Sequence, residues 1–170
     1  DLVLVKLFDF EKGKRVVVDL NIPSHACLLI SEHFINPVTK IYEKKIIFYN
    51  PNSAVITMYR DVKTFIDNEY KRITGSKDLF YSWIESDKIS DQYKFSIQLG
   101  PTCALFSQKL WLLTILNPET PTELLIDYSY HQTSNVEKQN ILTYYSTLFF
   151  IELFMKYYNT IHSSISRWDR

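Results

Sequence analysis

The segment RVVVDLNIPSHACLLI (residues 15–30) contains two β-branched, apolar runs separated by Pro23 and Ser24. Runs of this composition, bounded by turn residues, predict two β-strands. His25 begins the second strand, so we expect its ring to lie at the edge of a sheet. A neutral imidazole there can act as a general base toward a thiol. A lone histidine at a strand end more often only bonds solvent, and both interpretations stay open at this point.

Further apolar runs extend this sheet. Residues 2–10 (LVLVKLFDF) are predicted to be a strand that pairs with residues 15–22, in a hairpin whose turn uses Gly13. Residues 41–49 form another predicted strand, and the segment 31–40 before it is predicted to be a loop. Two more segments have the composition of strands: 79–84 and 93–98.

Apolar residues at helical spacing predict the helices. One follows Asp61 and ends at Gly75, and a second runs from Ala104 to Leu116 before Asn117-Pro118. From Pro121 onward we expect a short helix and a long aromatic helix, with His131 in a polar loop between them. The predicted fold class is α+β, a mixed central sheet flanked by helices. We expect a single domain over residues 1–170, with its motifs in 14–116 and a helical part in 121–166.

Composition excludes several classes of function. The 170 residues include 19 basic and 19 acidic side chains, so a nucleic-acid binder that works by neutralising phosphates is disfavoured. The sequence has no dinucleotide-binding or Walker A motif, and three glycines leave little room for either; two cysteines and four histidines show no metal-ligand spacing. We therefore expect no cofactor and no metal. The abrupt apolar start without methionine suggests a fragment or a processed product.

The apolar run at residues 142–161 raises the question of a membrane. Glu152 and Lys156 interrupt it, and charges inside a span are costly, so a packed helix is predicted in place of a transmembrane one. Its aromatic side chains are expected to belong mostly to a core.

Two further residues could take part in chemistry with His25. Thr102 is a plausible N-cap, which places Cys103 in the first turn of a helix, where the dipole favours a thiolate. A small buried hydrophobic residue is the alternative interpretation of Cys103. Asn50 follows a strand and could accept the far N–H of a histidine, although Asn50-Pro51 is also ordinary turn chemistry.

The order of these motifs resembles the adenain and SUMO/ubiquitin-like protease superfamily of cysteine peptidases. The resemblance rests on a strand-Pro-x-His-strand unit around His25, a strand end Phe48-Tyr49-Asn50-Pro51, and the loop-helix segment QLGPTCALF (residues 98–106). It covers about residues 14–116 and is greatest to viral maturation proteases with asparagine as the third member. The resemblance implies a papain-like core with the nucleophile at the N-terminus of a buried helix.

The resemblance also implies a role for each residue. Cys103 is the nucleophile, and His25 takes the thiol proton and later donates it to the leaving amine. Asn50 orients His25, with Asn52 as the alternative if the turn shifts register. Gln98 and the backbone N–H of Cys103 stabilise the oxyanion. Because asparagine carries no charge, we expect a weaker resting thiolate–imidazolium pair than an aspartate would support.

The function implied is a thiol protease that cleaves peptide or isopeptide bonds after small, Gly-Gly-type residues, in a viral precursor or a ubiquitin-like conjugate. Its partner is then a protein substrate, and its location a reducing intracellular compartment, host cytoplasm or virion. Two alternatives stay open: an acetyl-CoA-dependent acyltransferase of related fold and a non-catalytic binding module. Ala26 and Ala104 favour the last, since relatives carry tryptophan and glycine there.

Overall fold

A computed structural model describes residues 2–22, 25–36, 38–51, 56–86, 103–132 and 136–165. The chain divides into two compact units, Asp1–Gln132 and Thr133–Arg170. The first unit contains a sheet and four helices within its described residues, and the second contains one helix.

The elements of the first unit follow the chain in the order helix, three strands, helix, strand and two helices. They are α1 (Leu2–Leu7), β1 (Arg15–Ile22), β2 (His25–Ile35), β3 (Tyr42–Tyr49), α2 (Ile56–Thr74), β4 (Ser82–Glu85), α3 (Cys103–Leu116) and α4 (Thr122–Gln132). The helix of the second unit is α5 (Val136–Ile165).

The four described strands form one sheet in the order β1-β2-β3-β4. The first three strands are antiparallel, with Leu28 of β2 opposite Tyr49 of β3, whereas β4 runs parallel to β3 with Glu85 opposite Phe48. A parallel pair needs a crossover, and α2 provides it. The sheet is therefore mixed and flanked by helices, which confirms the predicted α+β class.

Each face of the sheet carries its own apolar core, because successive side chains of a strand point to opposite faces. One core joins strand residues to α1 and α2: Leu7, Phe8, Phe10, Cys27, Leu29, Ile46, Phe48, Ile66 and Tyr70. The other joins strand residues to α3 and α4: Leu28, Ile30, Ile47, Tyr49, Phe106, Leu110, Leu125 and Ile126. The sheet therefore lies between two helical layers, and α3 packs directly on β2.

The first predicted strand is wrong, since residues 2–7 form the helix α1. The spacing of Leu4, Leu7 and Phe8 places all three on one helical face, where they pack against the core beside α2. Leu2 and Val3 are exposed on the other side. A short apolar run can be strand or helix, and tertiary packing decides between them. The predicted hairpin is therefore wrong as well: Gly13, with φ of 70°, lies in the turn between α1 and β1, and β1 pairs with β2.

Two other boundaries differ from prediction. Residues 31–35 continue β2 and are not a loop, because the polar residues Glu32 and His33 find buried partners there. His131 lies in the last turn of α4 and not in a loop. The predicted strand at 93–98 lies outside the described residues.

The predicted helix after Asp61 is present, but it begins earlier than expected, at Ile56. Gly75 follows its last residue and caps it with φ of 68°.

The second unit consists of the 30-residue helix α5 among its described residues. The expectation that its aromatic side chains form a core is wrong for those that the structure describes. They are 46–67% exposed: Tyr144, Tyr145, Phe149, Phe154, Tyr157 and Tyr158. No helix in the described part of the chain has an apolar stretch long enough to cross a bilayer.

Candidate active site

His25 and Asn50 form a hydrogen-bonded pair at one end of the sheet. Nε2 of His25 lies 2.5 Å from Oδ1 of Asn50. Because an amide oxygen only accepts, Nε2 carries the hydrogen of this bond. In the neutral ring Nδ1 is then the nitrogen with a lone pair, free to take a proton from another group. The asparagine thus selects one tautomer of the histidine.

The strand register brings the two residues together. Leu28 pairs with Tyr49, so continuing the register by one residue sets Asn50 opposite Cys27. His25 lies two residues from Cys27 on the same face of β2, and diagonal neighbours of this kind are within reach of longer side chains. Asn50 is 1% exposed and His25 is half-buried, so the pair is shielded on the asparagine side and open on the histidine side.

The backbone of Asn50 is held by Ser86, a residue that no sequence motif marks. The N–H of Asn50 donates to Oγ of Ser86 over 3.1 Å, and the hydroxyl of Ser86 lies 3.3 Å from the Asn50 carbonyl, to which it donates. Ser86 is buried and directly follows β4, the parallel neighbour of β3. Only the sheet pairing reveals this contact, since 36 residues separate the two along the chain.

Cys103 is the first residue of α3, as predicted, and its side chain is half-buried. One turn later, the hydroxyl of Ser107 donates to the carbonyl of Ala26 over 3.1 Å. Ala26 is the neighbour of His25, so this bond fixes the start of α3 against the start of β2. The first N–H groups of a helix have no partner within the helix. Cys103 therefore lies at the positive end of the helix dipole, beside backbone N–H groups that can hold an oxyanion.

The two cysteines are chemically distinct. Cys27 is 1% exposed, and burial raises the pKa of its thiol to about 12, with the nearby Cys103 adding to the shift. At neutral pH Cys27 is therefore a protonated thiol without access to solvent, and it is not a nucleophile. Its electrostatic interaction with Cys103 also places Cys103 at the same end of β2 as His25 and Asn50. His25 and Asn50 are thus bonded to each other, and Cys103 lies at the same end of β2.

The remaining predicted site residues have other positions. Gln98, the predicted oxyanion donor, and Asn52, the alternative to Asn50, lie outside the described residues. His33, which was not a candidate site residue, is buried and its Nδ1 bonds the carbonyl of Phe10 over 2.8 Å. Within the described ranges, no three His, Cys, Asp or Glu side chains are grouped so that they could hold a metal ion.

The helix that carries Cys103 also contains a lysine with a buried ammonium group. Nζ of Lys109 finds no hydrogen-bond partner among the residues that the structure describes. Burial lowers the pKa of Lys109 to about 8, because a medium of low dielectric disfavours the charged form. The folded protein therefore holds this proton less strongly than the unfolded chain does.

We expect Lys109→Met to raise the free energy of unfolding at pH 7 by roughly 1–3 kcal/mol. Below pH 8 both states hold the proton, so the full cost of burying the charge is present. Above it the folded protein loses the proton first, and the cost disappears as the pH nears the ordinary value of 10.5. Urea unfolding between pH 7 and 10.5 measures the difference between variant and wild type, which should shrink as the pH rises. The exposed Lys71→Met is the control, and a difference independent of pH for Lys109→Met contradicts the interpretation.

No protein-family model matches the chain, and no curated protein or solved structure is significantly similar to it. The function of the chain is therefore proposed from its own residues and from the resemblance in the order of its motifs.

Proposed function

We propose that the chain is a thiol protease that cleaves peptide or isopeptide bonds after small, Gly-Gly-type residues. The observation that carries the proposal is the hydrogen bond from His25 Nε2 to Asn50 Oδ1, at the end of the sheet where α3 begins with Cys103. A nucleophile at a helix start, a base and an acceptor that orients the base are the three parts of a cysteine-peptidase site.

The proposed reaction uses each of these groups in turn. Nδ1 of His25 takes the proton of the Cys103 thiol, and the thiolate attacks the carbonyl carbon of the substrate. The tetrahedral oxyanion is stabilised by the backbone N–H of Cys103 and, as the family resemblance implies, by the side-chain amide of Gln98. His25 then gives its proton to the leaving amine, which departs and leaves an acyl-enzyme. A water molecule, deprotonated by His25, hydrolyses this thioester and releases the acid.

The substrate class is proposed from the resemblance alone. It comprises viral structural precursors and ubiquitin-like tails, both of which end their recognised segments with glycine. The proposed location is a reducing compartment, host cytoplasm or virion. A reduced Cys103 is required for the reaction, and both cysteines of the chain are free thiols.

Labelling with electrophilic probes tests the proposal. Vinyl-sulfone derivatives of a panel of ubiquitin-like proteins, each ending in Gly-Gly, are incubated with the chain and followed by intact mass. We expect one adduct that is lost in Cys103→Ala and retained in Cys27→Ala, because Cys27 is buried and protonated.

The outcomes separate the substrate classes. An adduct with the panel identifies a ubiquitin-like substrate. No adduct with the panel, together with selective alkylation of Cys103 by iodoacetamide at neutral pH, points to a protease that processes precursor proteins. If Cys103 reacts with neither reagent faster than Cys27 does, the proposal of an enzyme is wrong.

A further inference from the structure

Asn50 occupies an unusual place for an orienting residue, because it lies just beyond the end of its strand. β3 ends at Tyr49, and the last residue pair between β3 and β4 joins Phe48 to Glu85. The backbone beyond a strand end no longer has the regular partners of the ladder. Asn50 is nevertheless buried, and buried backbone groups need partners.

The hydroxyl of Ser86 bonds the backbone of Asn50 on both sides of its Cα atom. It accepts from the N–H of Asn50, which belongs to the peptide group before Cα, and donates to its carbonyl, which belongs to the peptide group after Cα. Two peptide planes fixed by one oxygen atom also fix the direction of the Cα–Cβ bond between them. The direction of the Asn50 side chain toward His25 therefore depends on Ser86.

We infer that Ser86 is a positioning residue, whose hydroxyl fixes Asn50 and, through Asn50, the Nε2–H tautomer of His25. Its part in catalysis rests on the proposed function, whereas its effect on the tautomer does not. A hydrogen bond weakens steeply as its angle departs from linearity, so a small rotation of Asn50 is enough to weaken its hydrogen bond to the His25 ring. The ring then samples the other tautomer, in which Nδ1 carries the hydrogen and takes no proton from Cys103.

The test compares Ser86→Ala with the matched variant Ser82→Ala, in which the exposed serine that begins β4 is replaced. The first readout is the ¹⁵N spectrum of the His25 ring, which reports the tautomer and does not involve Cys103. The second is the rate of Cys103 alkylation by iodoacetamide between pH 5 and 9, located by peptide mapping. Both are measured on the whole chain, with thermal unfolding alongside to show that each variant is folded.

We expect wild type and Ser82→Ala to show the Nε2–H tautomer and Ser86→Ala to show a mixture of tautomers. The rate of alkylation at neutral pH should fall about three- to tenfold in Ser86→Ala, since only part of the effect of one buried hydrogen bond reaches the reacting group. In a His25→Ala background, Ser86→Ala should cause no further fall, because the effect passes through His25.

The inference is wrong if the His25 tautomer is unchanged in Ser86→Ala. It is also wrong if Ser86→Ala lowers the rate of Cys103 alkylation equally in the His25→Ala background. A lower melting temperature with an unchanged tautomer and an unchanged pH profile of alkylation would show a merely structural role. The proposed function fails in a different way. If wild type and His25→Ala are alkylated at the same rate, the imidazole does not activate Cys103. The ring spectrum then still decides whether Ser86 positions the Asn50–His25 pair.

Discussion

Replacing Glu32 with leucine lowers the free energy of unfolding by about 3–5 kcal/mol, because it leaves a buried cation without its carboxylate. Glu32 is 1% exposed, and its Oε2 lies 3.3 Å from Nε of Arg15, which is almost as buried. The carboxylate also accepts the N–H and the hydroxyl of Thr122, over 3.0 Å and 2.6 Å. A leucine leaves all of these donors without an acceptor in the interior.

The pair connects the ends of two helices to the sheet. Arg15 donates to the carbonyls of Thr114, Asn117 and Thr120, at and beyond the end of α3. Glu32 binds the first residue of α4. A cation at a helix C-terminus and an anion at a helix N-terminus each complement the helix dipole. The ion pair therefore holds α3, the helix that begins with Cys103, in its place on the sheet.

A double-mutant cycle in urea at pH 7 measures the coupling. Arg15→Met should be as destabilising as Glu32→Leu, and the double variant should cost less than the sum of the two, by roughly 1–3 kcal/mol. The control is the ion pair of Glu11 and Lys14, whose side chains are both 65% exposed, so that Glu11→Gln should change stability by under about 0.5 kcal/mol. A change below 1 kcal/mol for Glu32→Leu would show that water reaches the pair.

This ion pair also shows why β2 was predicted too short. The sequence places Glu32 and His33 after an apolar run, and polar residues there are typical of a loop. Their partners are Arg15, 17 residues away, and the carbonyl of Phe10, 23 residues away. Polar side chains are compatible with a buried strand once such partners exist, and local patterns do not reveal them.

The helix α1 was missed for the opposite reason. Valine in LVLVKL favours a strand by propensity whereas leucine favours a helix, and packing decides between the two over so short a run. By contrast, β1, β3 and α3 were predicted because both their composition and their turn residues point to the same structure. Agreement between these two signals, as at the end of α3 beside Asn117, is what made a segment predictable.

The residues of the candidate site could be predicted only where a local sequence signal marks them. His25, Asn50 and Cys103 each follow or begin an element that the sequence marks with a turn, and their order along the chain suggested that they act together. Ser86 has no such signal. It is a serine just after a four-residue strand, and its importance depends on the parallel pairing of β3 with β4.

Replacing His25 with alanine should lower kcat/KM about 10²- to 10⁴-fold for a fluorogenic peptide amide that ends in Gly-Gly. The variant loses both the acceptor of the thiol proton and the donor to the leaving amine. Part of the loss should be recovered at alkaline pH, where the thiol ionises without a base, but proton donation to the amine is still missing. A variant with undiminished activity at neutral pH would exclude His25 as the base.

Asn50 variants separate orientation from charge. Asn50→Ala removes the acceptor 2.5 Å from Nε2, and we expect a loss of about ten- to a hundredfold in kcat/KM, equivalent to roughly 1–3 kcal/mol. Asn50→Asp keeps an acceptor in the same place and adds a negative charge, which stabilises an imidazolium more than a neutral amide does.

The aspartate variant should therefore retain activity and be alkylated by iodoacetamide at neutral pH at least as fast as wild type. The reason is that the charge favours proton transfer from Cys103 to the ring and so raises the fraction of thiolate. Equal losses of kcat/KM in Asn50→Ala and Asn50→Asp would mean that only the neutral amide works at this position. Its burial would be the reason, since a carboxylate is costly to bury. If Asn50→Asp retains activity and Asn50→Ala loses it, Asn50 acts as a hydrogen-bond acceptor. This is the role that its bond to His25 implies.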